Sequence, residues 1–124
     1  MRPQRLIVSP GEPGGIGGEI LVDAAYHGAS PLVTIDDPDR LSAIAKAKKL
    51  PLKIAVVDDL DAADGLSSDT LAVLPITWAE TPKPGHASVA NAPQVIEAIR
   101  KAAGYAQQGL VKGLVTNPIQ KSTL

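Results

Sequence analysis

Nine residues, Gly11-Glu12-Pro13-Gly14-Gly15-Ile16-Gly17-Gly18-Glu19, hold five of the chain's glycines. They follow a short apolar run, Leu6-Ile7-Val8, and precede a helical pattern. Glycines in such a turn let the backbone come close to a ligand. The helix that follows would offer free amides and the positive end of its dipole to an anion. The spacing is neither that of a Walker loop, which needs Gly-Lys-Ser/Thr, nor that of the Gly-x-Gly-x-x-Gly fingerprint. A tight strand–helix turn would explain the same glycines without a ligand. A second group, Thr116-Asn117-Pro118-Ile119-Gln120-Lys121, stands at the carboxyl end of another apolar run, where open α/β sheets bind their ligands. Hydroxyl, amide and amine in one turn suit an anionic or polyhydroxy substrate; a plain helix cap with a solvated lysine is the simpler alternative.

Other residues carry less. In Asp58-Asp59-Leu60-Asp61-Ala62-Ala63-Asp64-Gly65 the calcium-loop spacing fails, because the fifth position from Asp59 is Ala63 and the twelfth is Thr70. A solvated loop is the expectation. His27 and His86 are the only histidines and share no metal-ligand spacing. His27 is expected to end a helix, and His86 to sit in a loop. Ser9 lacks a nucleophile-elbow context.

These groups need a scaffold. Lengthwise, 124 residues make one small domain or part of a larger one. The chain is 44% apolar and almost wholly aliphatic, with one Trp, two Tyr and no Phe, so stacking platforms for single-stranded nucleic acid are excluded. Twelve basic and 13 acidic residues give a net charge of −1, and nothing points to a nucleic-acid or membrane-surface partner. The absence of cysteine removes disulfides, thiolate zinc sites and a thiol nucleophile, and fits a cytoplasmic protein. No apolar run approaches the roughly 20 residues of a membrane helix, and the N-terminal apolar run is too short for a signal peptide.

Short apolar runs alternate with helical ones. Strands are expected at Leu6–Val8, Leu32–Ile35, Leu52–Val57, Leu71–Ile76 and Leu114–Thr116. The first helix is expected from Gly17 to His27, with Ile20, Leu21, Ala24 and Ala25 on its buried face. Asp37-Pro38 reads as an N-cap and first helical position, with Leu41, Ile44 and Ala45 facing inward. Asn91-Ala92-Pro93-Gln94 reads as a capping box. It opens a helix with Val95, Ile99, Ala102 and Ala106 on one face and Gly109 as its stop. Asn117-Pro118 opens a further helix. Continuous apolar strands mean coverage on both faces. The fold class is therefore α/β, a mainly parallel sheet with flanking helices and right-handed crossovers. The Pro- and Gly-bearing segment from Trp78 to Ala90 is the longest loop. The chain stops about two turns into its last expected helix, as the front of something longer would.

On this scaffold both turns leave carboxyl ends of one parallel sheet. Glu12, Gly14, Gly15 and Gly17, together with Thr116, Asn117 and Lys121, are therefore expected to line one cleft for a substrate, phosphate or cofactor.

Taken together, these segments resemble the front part of the 4-hydroxythreonine-4-phosphate dehydrogenase family of pyridoxal phosphate biosynthesis. The run from Ser9 to Ile20 is similar to the family's opening pattern: Ser or Thr, any residue, Gly, an acid, then Pro-Ala-Gly-Ile-Gly-Pro-Glu. Pro84-Gly85, followed by Ala90-Asn91-Ala92 and Val95-Ile96-Glu97-Ala98, resembles its mid-region motif before a long helix. Leu114 to Lys121 resembles its Thr-Gly-Pro-Ile-Asn-Lys segment. Gly14 stands where Ala is usual, Gly18 where Pro is usual, Asn117 in place of Gly, and Gln120 in place of Asn or His; a paralogue acting on another phosphorylated hydroxy acid would accommodate these. The resemblance implies part of an isocitrate/isopropylmalate dehydrogenase-like fold. It implies an NAD- or NADP-dependent oxidoreductase that oxidises 4-phosphohydroxy-threonine with loss of carbon dioxide. A homodimer and a divalent metal (zinc, magnesium or cobalt) held by histidines of both subunits are implied for the whole family protein. Residues 1–124 match only its first third, before the metal-binding and catalytic region, so neither a catalytic nor a metal-binding residue is expected in this chain. The chain alone is expected to be inactive and to bind no cofactor tightly.

Two other readings compete. A stand-alone phosphate- or nucleotide-binding α/β domain needs only the glycine loop. A receiver-type signalling domain would use Asp58 after the third strand and Lys121 after the fifth, but it would want an acidic pair after the first strand. The pair here, Asp36-Asp37, follows the second.

Overall fold

The computed structural model describes residues 5–10, 17–28, 31–67, 69–82 and 89–116. The elements in order are β1 (Leu6–Ser9), α1 (Gly17–His27), β2 (Leu32–Asp36), α2 (Pro38–Ala47), β3 (Lys53–Val56), α3 (Leu60–Asp64), β4 (Thr70–Pro75), a 3-10 turn (Val89–Asn91), α4 (Ala92–Gln107) and β5 (Gly113–Thr116). The five strands form one sheet in the order β3-β4-β2-β1-β5, and every pairing is parallel.

Handedness then dictates where the helices go. The chain moves one way across the sheet from β1 to β2 to β3, and back the other way from β3 to β4 to β5. Right-handed crossovers in opposite directions place their helices on opposite faces. Accordingly, Val8, Leu32, Leu71 and Val73 pack with Leu21 and Val22 of α1 and Leu41 and Ala45 of α2. The alternate residues Ile7, Val33, Ile35 and Ala72 pack with Leu60 and Ala63 of α3 and Ala98 and Ala102 of α4. Coverage on both faces holds for β1, β2 and β4. The edge strands are thinner, and Val56 of β3 and Val115 of β5 are exposed.

Local chemistry fixes the ends. The Asp37 side chain accepts from the Asp39 amide at 2.9 Å, and Pro38 occupies the first turn of α2, as its sequence indicates. Gly109, just beyond α4, takes φ +73°, a conformation in which glycine avoids the Cβ clash.

Three expectations are corrected. On α1 the buried residues are Gly17, Gly18, Leu21 and Val22; Ile20 is 44% exposed, because the stripe is turned by one position. The acidic stretch is not a plain loop but contains α3, whose N-cap Asp59 accepts from the Ala62 amide at 2.8 Å. The capping box at α4 does not form. Asn91 is helical in backbone and makes no side-chain cap bond. Its carboxamide instead spans to another segment, accepting from the Glu80 amide at 2.8 Å and donating to the Glu80 carbonyl at 2.9 Å. Gln94 does the same beside it, accepting from the Ala79 amide and donating to the Thr77 carbonyl, each at 2.6 Å.

This changes the expected cost of Asn91→Ala. A lost cap costs about 1 kcal/mol. Asn91 is fully buried, and its removal strands an amide and a carbonyl. A loss of about 2–3 kcal/mol in urea denaturation is expected, together with faster proteolysis in the 77–82 segment. A loss of about 1 kcal/mol with unchanged proteolysis would return Asn91 to a capping role.

Candidate functional site

The two sequence-derived turns leave from adjacent strands. β1 and β5 pair directly, with Ser9 opposite Thr116 in register. The glycine-rich stretch and the segment after Thr116 therefore leave neighbouring strands at the same, carboxyl edge of the sheet. Gly17 is buried in the first turn of α1, and Thr116 is exposed at the end of β5. Glu12, Gly14, Gly15, Asn117 and Lys121 lie outside the described residues, as do His86 and the helix expected from Asn117. Ser9 is fully buried, and its Oγ has no hydrogen-bond partner among the described residues. A buried hydroxyl without a partner costs on the order of 1–3 kcal/mol, and here it sits where the two turns begin.

The same edge holds a polar cluster that no local pattern announces. Asp36, the last residue of β2, is buried. Its Oδ1 accepts from the Asp37 amide at 2.7 Å and from Trp78 Nε1 at 3.0 Å. Its Oδ2 accepts from Arg40 Nη1 at 3.1 Å, an ion pair from the end of β2 to the first turn of α2. The Asp36 carbonyl accepts from the Ile76 amide at 3.1 Å. Arg40, on α2, in turn approaches the first turn of α1. A Cβ on Gly18 would stand 2.9 and 3.0 Å from the two Arg40 terminal nitrogens and 2.8 Å from Ile44 Cδ1. Glycine at position 18 is what allows this approach.

Burial pushes the Asp36 carboxyl above the ordinary carboxylate value; Arg40, the Trp78 indole N–H and the Asp37 amide pull it back down, and the charge of Asp37 raises it. The folded chain therefore holds this proton more tightly than the unfolded chain. The sign follows: stability falls as pH rises from the ordinary value of 3.8 through the raised one, and the cost is fully present above it. Melts of the wild type and Asp36→Asn between about pH 4 and pH 7 are expected to diverge, the wild type losing relative stability as pH rises. Parallel curves would mean that Asp36 titrates like a surface carboxylate.

Two cavities among the described residues open on the α4 side of this edge. A groove of about 280 Å³ runs between α4 and the carboxyl ends of β2 and β4, floored by Ile35, Leu74 and Ile76 and rimmed by Asp58, Lys101 and Tyr105. A neighbouring cavity of about 180 Å³ shares Ile35, Ile76 and Lys101. Neither is lined by a residue predicted from sequence for the cleft. Among the described residues, no group of three His, Cys, Asp or Glu could hold a metal ion, and no chemical step is assigned through one. His27 ends α1, exposed, with its ring edge-on to Tyr26. No helix among the described residues is long and apolar enough to cross a membrane.

The strand order also removes the receiver reading. Asp58 follows β3, and β3 and β5 are the opposite edges of the sheet. Four strand spacings of about 4.8 Å separate them by roughly 19 Å. Asp58 and the carboxyl end of β5 therefore stand at opposite edges of the sheet, which speaks against the receiver arrangement.

The model of one family, described as pyridoxal phosphate biosynthetic protein PdxA, matches residues 28–124. The 4-hydroxythreonine-4-phosphate dehydrogenase of Yersinia pestis is 34% identical over 121 residues, covering 97% of this chain and 37% of the relative. That of Xanthomonas axonopodis pv. citri is 36% identical over 121 residues, covering 96% of this chain and 36% of the relative. The chain thus spans little more than a third of the length of these relatives. Among solved structures, the 4-hydroxythreonine-4-phosphate dehydrogenase of Klebsiella pneumoniae superposes with a TM-score of 0.80 at 22% identity, over 98% of this chain and 38% of that one. The Burkholderia phymatum enzyme gives 0.83 at 20% identity, over 99% of this chain and 38% of that one. These neighbours carry the isocitrate dehydrogenase-like fold that the sequence resemblance implied. With the family model covering most of the chain, the sequence motifs in matching order and the fold in agreement, the chain belongs to the PdxA family of pyridoxal phosphate biosynthetic proteins.

Proposed function

We propose that residues 1–124 form the N-terminal part of a larger α/β dehydrogenase, ahead of its metal-binding and catalytic region. The whole protein oxidises 4-phosphohydroxy-threonine, or a related phosphorylated hydroxy acid, with NAD or NADP and loss of carbon dioxide, as a cytoplasmic homodimer with a divalent metal. The observation that carries this reading is the match to dehydrogenase relatives over 97% of the chain. The part played by these residues is binding and orientation. Backbone amides at the start of α1 face an anion favourably, and Glu12, Gly14, Gly15, Gly17, Thr116, Asn117 and Lys121 line the cleft for the phosphorylated substrate or cofactor. The Ser9–Thr116 register and the unpartnered Ser9 hydroxyl support that placement. Orientation of this kind lowers the barrier by pre-ordering the reacting groups.

The test is a chimera in which residues 1–124 replace the matching part of the Yersinia pestis relative. Reduction of NAD with 4-phosphohydroxy-threonine is expected from the chimera and not from the 124-residue chain. A folded chimera without turnover would remove the substrate assignment. Metal-dependent turnover by the chain alone would show that it holds catalytic residues of its own.

A further inference from the structure

The sheet face that carries α3 and α4 is unevenly covered. α4 has 16 residues and α3 has five, lengths of about 24 Å and about 8 Å at 1.5 Å per residue. α3 buries only Leu60 and Ala63, and α4 packs against β1 and β5. Between them the carboxyl ends of β4 and β2 floor the groove of about 280 Å³. Ile35 is buried there, but Leu74 and Ile76 are left half-buried. The chain also leaves these two adjacent strand ends toward opposite faces. α2, after β2, packs with Leu71 and Val73, and α4, after β4, packs with Ile7 and Ala72. Open parallel sheets form ligand crevices where neighbouring strand ends diverge in this way. The rim is polar and carries both signs of charge. Asp58 follows β3 on one wall; Lys101 and Tyr105, four residues apart on α4, stand on the other. No described residue bonds or pairs with any of these three side chains. Glu97, one turn before Lys101, is engaged with Arg100 at 3.6 Å instead. β4 and β2 lie between the walls, and at about 4.8 Å per strand they hold the acid and the base roughly 10 Å apart.

We propose that this groove binds a small zwitterion whose opposite charges are held apart by an apolar body, in the size range of an aliphatic dipeptide or an ω-amino acid. Its ammonium sits at Asp58, and its carboxylate sits at Lys101 and the Tyr105 hydroxyl. Its body covers Ile35, Leu74 and Ile76, removing from water the apolar surface that the short α3 leaves open. The spacing of the walls selects the ligand. An α-amino acid, with adjacent charges, reaches one wall only, and an amphiphile of single charge leaves the other wall to water. Asp58 and Lys101 are both exposed, so each ion pair is weak by itself. The floor therefore supplies most of the affinity, and the two charges supply direction and selectivity.

The probe is ε-aminocaproate, compared with caproate and hexylammonium, which carry one charge each on a similar body. Each is titrated into the isotope-labelled 124-residue chain while backbone amide chemical shifts are followed. Saturable shifts are expected at Asp58, Ile76, Lys101 and Tyr105. At low salt the zwitterion is expected to bind about twofold to fivefold more tightly than either analogue, and in about 1 M salt that margin is expected to shrink. Lys101→Glu is expected to lower affinity for ε-aminocaproate by a similar factor and to raise it for hexylammonium; Asp58→Lys is expected to do the converse with caproate. The double variant Asp58→Lys/Lys101→Glu is expected to regain the zwitterion, bound in the reverse direction. Both positions are exposed, so the far-ultraviolet spectrum is expected to stay that of the wild type. No saturable shift with ε-aminocaproate would overturn the proposal, as would shifts confined to residues outside the groove. Equal affinities for the three probes, unmoved by either charge reversal, would overturn the zwitterion assignment. A double variant no better than the single ones would overturn the pairing of the two walls.

Discussion

Replacing Arg5 by alanine is expected to bring the chain close to unfolding. Arg5 lies just ahead of β1 and is 2% exposed. Its guanidinium donates from Nε to the Ala63 carbonyl at 2.8 Å, from Nη1 to the Leu32 and Thr70 carbonyls at 2.7 Å each, and from Nη2 to the Ser67 carbonyl at 2.8 Å. These carbonyls belong to the start of β2, the end of α3, the turn after it and the start of β4. One planar fork therefore ties together three connections at the amino edge of the sheet, opposite the edge that carries the candidate cleft. Burial lowers the affinity of Arg5 for its proton, and the charge of Asp64 raises it. The Ala63 and Ser67 carbonyls keep backbone donors in the Leu66 and Thr70 amides, so the cost falls mainly on the Leu32 and Thr70 carbonyls, about 1–3 kcal/mol for each left without a donor, and on the packing lost with the buried side chain. Relaxation and water recover part of that, so a net loss of roughly 4–5 kcal/mol is expected, against a typical total stability of about 5–15 kcal/mol. Arg5→Lys should recover only part of the loss, since a single ammonium cannot reach four divergent acceptors. Lys46→Ala, at an exposed site on α2, should stay within about 0.5 kcal/mol. Urea denaturation ranks the three variants. An Arg5→Ala midpoint near that of Lys46→Ala would mean that the clamp contributes nothing.

Arg5 also shows where the sequence stops being informative. It stands in a run with two arginines and a glutamine, Arg2-Pro3-Gln4-Arg5, which reads as a solvated tail. Nothing local marks one of them as buried, because its partners lie 27 to 65 residues away. Asp36 and Trp78 are hidden in the same way by a separation of 42 residues. The elements whose determinants are local were legible. Asp37-Pro38 announces α2, and the run from Val95 to Ala106 announces α4 by spacing alone. α3, with five residues, is too short to display a helical period, so only its acids were visible. Asn91 and Gln94 have the residue types of a capping box, and the box does not form because both carboxamides bond the 77–80 backbone instead. Which backbone they would find depended on the 77–80 segment folding beside them. Strand order was likewise invisible. β4 enters between β3 and β2, and short apolar runs carry no record of their neighbours. Of the candidate cleft, the strand ends that carry the glycine-rich stretch and Thr116 were legible, and the Ser9–Thr116 pairing shows that those two ends are adjacent. Ser9 lacks a nucleophile-elbow context in sequence, and its buried hydroxyl, without a partner among the described residues, exists only in the folded chain.

The facing of α4 provides the sharpest contrast between adjacent residues. Val95 is 1% exposed and Ile96 is 39% exposed, and one residue of helix turns a side chain by about 100°. Val95→Asp puts a carboxylate among apolar groups one turn after Asn91. An ionised carboxylate there has no partner, so it takes up a proton instead, and the cost becomes that of neutralisation plus a buried, unsatisfied carboxyl and lost packing. A loss of about 4–5 kcal/mol is expected at neutral pH, at the upper end for a single substitution. Ile96→Asp faces solvent and is expected to cost less than about 1 kcal/mol. The contrast with Asn91→Ala narrows to about twofold, because Asn91 is a clamp worth about 2–3 kcal/mol rather than a cap. The pH dependence carries its own sign. The introduced carboxyl has a folded-state proton affinity above its unfolded one, so Val95→Asp loses stability relative to the wild type as pH rises and regains it on acidification. Thermal melts of Val95→Asp, Ile96→Asp and Asn91→Ala at acid and neutral pH measure all of this together. A Val95→Asp variant that melts with Ile96→Asp, or that weakens on acidification relative to the wild type, would mean that Val95 does not face the sheet. The clamp of Asn91 and Gln94 on the 77–80 segment would then have to be reassigned with it, since all three residues lie on the same two turns.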